Sequence, residues 1–112
     1  MIHPNFTYRA KVVSVYDGDT IRADVDLGFS LRMCNASFRL SGIDTPEIRG
    51  AEREEGIKVR DIVREMILGR DVIIETEKDK SGKYGRYLAT IWIDGINVNK
   101  WLVEQGHAER YA

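Results

Sequence analysis

Over the first forty residues, apolar and polar side chains alternate in short runs broken at glycine. That pattern admits little other than antiparallel strands. Val12, Val13 and Val15 fall in the first run, Ile21, Val25 and Leu27 in the second, and Phe38-Arg39-Leu40 closes the third. β-Branched side chains suit a pleated, half-buried surface. Asp17-Gly18 separates the first two runs, and this dipeptide favours the positive φ angles of tight hairpins. Leu27-Gly28 marks the next turn. A three-stranded meander is therefore expected from about Tyr8, after a loose arm over residues 1–7.

The period then changes. Pro46 breaks the strand pattern, and Val59, Ile62, Val63, Met66 and Ile67 recur at helical spacing. Arg60, Asp61, Arg64 and Glu65 take the wet side, and Gly69 follows where a helix-terminating glycine belongs. Asp71 to Glu77 and Tyr87 to Ile93 alternate as strands again, joined by a Gly/Lys-rich loop from Asp79 to Gly85. Asp94-Gly95 closes a hairpin, and Val98, Trp101 and Leu102 seed a short helix ended by Gly106. The expected fold is α+β and mainly β: a five-stranded OB-fold barrel with an inserted helix and a short C-terminal helix. Such a barrel closes off its own edges. A chain of 112 residues has room for one such domain, assigned to residues 8–112.

Composition narrows the chemistry. With 17 basic and 18 acidic residues the net charge is −1, without the basic excess of a tight, salt-sensitive duplex binder. A local arginine clamp on one phosphate remains compatible with that balance. His3, His107 and Cys34 are the only imidazoles and thiol, so disulfides, thiolate zinc and histidine catalysis are poorly supplied. No apolar run approaches the roughly 20 residues that span a bilayer, and the start lacks a basic-then-apolar leader. With Met1 retained, an intracellular, membrane-free monomer of bacterial, plasmid or phage origin is the expectation. Trp92 and Trp101 are expected in the core, Cys34 buried or half-buried, and Asp24 and Asp26 on a polar strand face.

Three segments stand out. Asp17-Gly18-Asp19-Thr20 reads as a hairpin turn, and it is no EF-hand start because Ile21 occupies the next acidic position. In Phe38-Arg39-Leu40-Ser41-Gly42-Ile43-Asp44-Thr45-Pro46-Glu47, Arg39 lies on a strand between apolar neighbours, and Asp44 and Glu47 bracket a stiffening proline. A plain polar loop is one account of the acidic pair. Fixed carboxylates for a hard cation such as calcium, which takes six to eight oxygen ligands, are the other. In Asp79-Lys80-Ser81-Gly82-Lys83-Tyr84-Gly85-Arg86, a solvated basic loop precedes an arginine at the mouth of an apolar strand. Two arginines beside one metal suit a phosphodiester, because the planar guanidinium binds phosphate oxygens in a fork and stays charged. Glu47 is then the carboxylate left to act as base.

In this order and at these separations, DGDT at 17–20, FRLSGIDTPE at 38–47 and DKSGKYGRYLA at 79–89 resemble the staphylococcal nuclease family, over about residues 8–108. The resemblance implies a Ca²⁺ site built from the carboxylates of Asp19 and Asp44 and the backbone carbonyl of Thr45. Glu47 matches the family's general base, and Arg39 and Arg86 match the arginines that hold the scissile phosphate. Lys83 and Tyr84 match residues that contact a terminal phosphate. A nuclease acting on DNA or RNA at the 5′ P–O bond, leaving 3′-phosphates, is the implied activity. The alternative is an OB-fold module that binds nucleic acid or protein without cutting, and a degenerate module of that kind should lack part of this set. Three departures from the family pattern are expected to matter: the absence of its further C-terminal helix from this sequence for stability more than catalysis, and an aromatic platform reduced to Tyr111 and a balanced charge for substrate binding.

Overall fold

Each alternating run is a strand in the computed structural model, which describes residues 6–78 and 86–111. The strands are β1 (Phe6–Asp17), β2 (Thr20–Gly28), β3 (Leu31–Leu40), β4 (Ile43–Asp44), β5 (Asp71–Lys78), β6 (Tyr87–Ile93), β7 (Ile96–Asn97) and β8 (Glu109–Arg110). Helix α1 (Arg53–Ile67) follows β4, and α2 (Val98–Glu104) follows β7. The meander β1–β2–β3 is antiparallel, β1 also pairs with β5, and β5 pairs with β6. Closure comes from a short parallel seam, Phe38–Leu40 of β3 against Tyr87–Ala89 of β6. The result is a closed five-stranded barrel with two helices, an OB-fold whose closing seam is three residues long.

β1 begins at Phe6, two residues before the expected start, because Phe6 and Thr7 extend its ladder opposite Thr76 and Glu75. The inward positions of the strands, among them Val12, Ile21, Leu40, Ile74 and Ile91, are sealed from solvent. Each such side chain contributes roughly 1.5–3 kcal/mol on burial. Helix α1 lays Val59, Val63 and Ile67 on this core. Arg64 ties the helix to the barrel by donating from Nε and Nη2 to the Val15 carbonyl at 3.1 and 3.0 Å. Gly69 has the positive φ expected past a helix end, but its N–H donates to Val12 of β1 rather than back into the helix.

Several local expectations are corrected. The β2–β3 turn falls at Phe29-Ser30, not Leu27-Gly28; Gly28 instead serves a register shift, its N–H held by the Asp26 carboxylate at 2.9 Å. Cys34 is exposed, because it lies in the irregularity where β3 slips against β2. Trp92 is 38% exposed, since it faces outward between the buried Ile91 and Ile93. Trp101, by contrast, does pack against the core, half-buried, with its ring centroid 5.7 Å from that of His107. Asp24 and Asp26 do lie on a polar face, where each accepts a backbone N–H. No described helix is long and apolar enough to cross a membrane.

Candidate functional site

The β1–β2 turn, the end of β3 and the loop after β4 meet at one rim of the barrel, and each brings a charged side chain. Asp17 ends β1 opposite Thr20, so Gly18 and Asp19 form a two-residue turn. Gly18 does not use a positive φ. Its lack of a side chain is a matter of space: a Cβ there would stand 2.7 Å from Val59 Cγ1 and 2.8 Å from Thr45 Oγ1. The turn thus packs directly on α1 and on the acidic loop.

That packing buries Asp19, which is 5% exposed. Its Oδ2 accepts from the Thr45 N–H at 3.1 Å, and its Oδ1 accepts from the Thr20 hydroxyl at 3.3 Å. Asp17, also buried, accepts the Asp19 N–H at 3.1 Å. Burial first, and then the neighbouring Asp19 carboxylate, push the Asp17 carboxyl up to about 6. Two carboxylates enclosed this closely favour a cation nearby.

Arg39 supplies one. It stands on the outer face of β3 between the buried Phe38 and Leu40. Its Nη2 lies 3.7 Å from Asp19 Oδ2 and 3.6 Å from Asp44 Oδ1, and donates to the Ile43 carbonyl at 3.1 Å. Asp19 and Asp44 therefore converge from two segments on a single guanidinium nitrogen. Thr45 is buried, and its Oγ1 has no hydrogen-bond partner among the described residues. Donors of this kind, two carboxylates with backbone and hydroxyl oxygens around them, match a hard cation that keeps further positions for water or phosphate. No group of three or more His, Cys, Asp or Glu side chains placed to hold a metal ion forms among the described residues.

Glu47 lies two residues beyond Thr45, exposed, and makes no ion pair among the described residues. Its backbone runs close against Gly56 of α1, where a Cβ would collide with the Glu47 carbonyl. Arg86 precedes β6, half-buried, two residues before the Leu88 that pairs with Arg39. Lys83 and Tyr84 lie outside the described residues.

Other contributors had no clear sequence signal. Buried Asn99 of α2 accepts the Ile91 N–H at 3.1 Å and donates to the Ser41 and Ala89 carbonyls at 2.9 and 3.0 Å. It thereby locks the β3–β4 corner that carries Arg39 and Asp44. β8 pairs Glu109 with Asp44 and Arg110 with Ile43, and Tyr111 then donates its N–H to Gly42. The Arg39 guanidinium sits 5.4 Å from the centroid of the exposed Tyr111 ring. Tyr111 thus stands beside Arg39 at the same rim.

A family model described as staphylococcal nuclease homologue matches residues 37–112. That span takes in Arg39, Asp44, Thr45, Glu47 and Arg86 but starts beyond Asp19. An uncharacterized protein of Methanocaldococcus jannaschii is 33% identical over 129 aligned positions, covering 93% of this chain and 59% of that protein. The thermonuclease of Staphylococcus hyicus is 31% identical over 101 positions, with 88% and 56% covered. The thermonuclease of Staphylococcus intermedius is 32% identical over 100, with 87% and 56% covered. The chain spans somewhat under three fifths of the length of these relatives.

Proposed function

The chain belongs to the family of staphylococcal nuclease homologues, and from that premise we propose that it is a Ca²⁺-dependent nuclease hydrolysing DNA or RNA at the 5′ P–O bond to leave 3′-phosphates. The observation that carries the reading is the convergence of Asp19 and Asp44 on one nitrogen of Arg39, within 3.7 and 3.6 Å. Neutralising the acidic pair takes one arginine, Arg39; a second, Arg86, at the mouth of the neighbouring strand β6 suits a phosphate clamp.

In this reading Asp19, Asp44 and the Thr45 carbonyl would hold a calcium ion, which would supply positive charge to offset that of a phosphate oxygen. Arg39 and Arg86 grip the scissile phosphate through their guanidinium forks and stabilise the extra negative charge of the pentacoordinate transition state. Glu47, exposed on a loop braced by Pro46 and Gly56, takes the proton of the water that attacks phosphorus. The bond from phosphorus to the 5′ oxygen breaks, that oxygen leaves as a hydroxyl after gaining a proton, and the phosphate stays on the 3′ side. Lys83 and Tyr84 contact a terminal phosphate. Tyr111 offers an exposed ring beside Arg39, where a base can stack at roughly 1–3 kcal/mol.

The test is digestion of plasmid and single-stranded DNA in Ca²⁺, with a chelator control. Glu47→Gln and Arg86→Ala should each lower the rate by about 10²–10⁴ with an unchanged circular dichroism spectrum. Intact substrate after long incubation with wild type at high concentration would sink the proposal and leave the non-catalytic binding module.

A further inference from the structure

Beyond the scissile-phosphate site, β3 and β6 part company, and a groove of about 490 Å³ opens between them. The seam that closes the barrel ends at Phe38 opposite Tyr87. One position further along the same register stand Ser37 and Arg86, and Ser37 pairs on its other side with Arg22 of β2. Arg22, Ser37 and Arg86 line the groove together, with Met33, Phe38 and Tyr87. The row Thr20, Arg39 and Leu88 lies directly alongside, two residues along each strand. A two-residue step on a strand is on the order of 7 Å, within the reach of one nucleotide of extended chain.

Arg22 is placed for an anion. Its side chain is exposed, and it has no carboxylate within ion-pair distance among the described residues. It is nevertheless held in direction: Nη1 donates to the Asn35 carbonyl at 3.1 Å. Asn35 sits in the irregularity between β2 and β3 with φ +55°, its own N–H bound to the Asp24 carboxylate at 2.8 Å. Irregularities of this kind re-aim groups beside functional sites. Here the displaced carbonyl leaves the other guanidinium nitrogens of Arg22 for a ligand. Beneath them the floor is apolar and partly open, with Met33 and Tyr87 each 42% exposed.

We propose that this groove is a second nucleotide subsite, in which Arg22 binds the phosphate adjacent to the one held by Arg39 and Arg86, while the attached nucleoside rests on Tyr87 and Met33. The inference rests on the nuclease reading above and extends it to polymeric substrates. Arg22 is a binding residue for the longer chain, with no part in bond breaking.

Two measurements separate this subsite from the nuclease reading itself. In chelator, binding of a fluorescent single-stranded oligonucleotide is followed by anisotropy against salt. Arg22→Gln should weaken binding roughly tenfold and reduce the salt slope by about 0.7, one phosphate contact; Arg22→Lys should recover most of the slope. In Ca²⁺, Arg22→Gln should lower kcat/KM about tenfold on the oligonucleotide, mainly through KM. It should leave an aryl phosphodiester of a single nucleoside, which has no second phosphate, unaffected. Equal losses on both substrates, or an unchanged salt slope, would overturn the subsite. A wild type that binds with the predicted slopes but never cleaves would remove the nuclease reading and keep the subsite.

Discussion

Gly56 is set into α1 at the point where any side chain would strike the loop that the helix supports. A glycine inside a helix costs about 1 kcal/mol relative to alanine, so at an unconstrained site Gly→Ala stabilises. Here the added Cβ collides with the Glu47 carbonyl, a backbone atom that cannot swing aside. Gly56→Ala should therefore lower stability by about 1–3 kcal/mol and slow cleavage as Glu47 is displaced, read as a drop in melting temperature and in rate. A rise in melting temperature would show the contact to be slack. Arg39 and Asp44 were legible in the sequence because alternation and a proline betray a charge held in place. Gly56, Gly18 and Asn99 were not, because the reason for each is a contact with chain far off in sequence: the Glu47 loop, Thr45 and Val59, and Ser41 in the β3–β4 corner. Trp92 and Cys34 were misjudged because residue type outweighed position: one faces outward by strict alternation, and the other sits where alternation is interrupted.

Among the elements, the β2–β3 hairpin departs most from its sequence signal. A glycine next to an apolar run reads as the turn, yet Gly28 is used in a bulge and the turn moves on to Phe29 and Ser30. Both have positive φ, +54° and +63°, the sign that a type I′ turn demands at its two central residues and that L side chains resist. Phe29 gains nothing from packing, being 97% exposed. Replacing the pair with Asn-Gly should stabilise the protein by about 1–2 kcal/mol, raising the urea midpoint with the slope unchanged. Nuclease activity should stay the same, since the turn lies beyond the far end of β2 from Asp19. A lower midpoint would mean that the strain is absent or that Phe29 contacts something in the folded state. The remaining elements followed their periodicities closely, with α1 extended towards its N-terminus and β1 begun at Phe6. Period and turn chemistry carry the order of elements, whereas bulges depend on how two strands settle against each other.

At the scale of the molecule, the site exists only when the barrel is closed. Asp19 comes from the β1–β2 turn and Asp44 from β4, and Arg39 bridges them because β2 and β3 pair in the register Thr20 opposite Arg39. In the unfolded chain these carboxylates share no ligand, so a cation that binds both binds the native state alone. Such binding stabilises by mass action, about 2.7 kcal/mol when the free ion is a hundredfold above its dissociation constant. For a domain of this size that corresponds to a rise in melting temperature of the order of 10 °C. Calcium should produce this shift in wild type and Mg²⁺ a smaller one, since Mg²⁺ sheds its water reluctantly. Asp44 is the informative substitution, because its side chain is 53% exposed and its loss leaves the buried Asp19 bonds intact. Asp44→Asn should fold normally in chelator and lose most of the calcium-dependent shift, measured by calorimetry with and without the ion. A shift unchanged by Asp44→Asn would place the cation elsewhere. No shift in wild type even at tens of millimolar calcium would mean that Arg39 alone neutralises the pair, and the metal-dependent reading would fail with it.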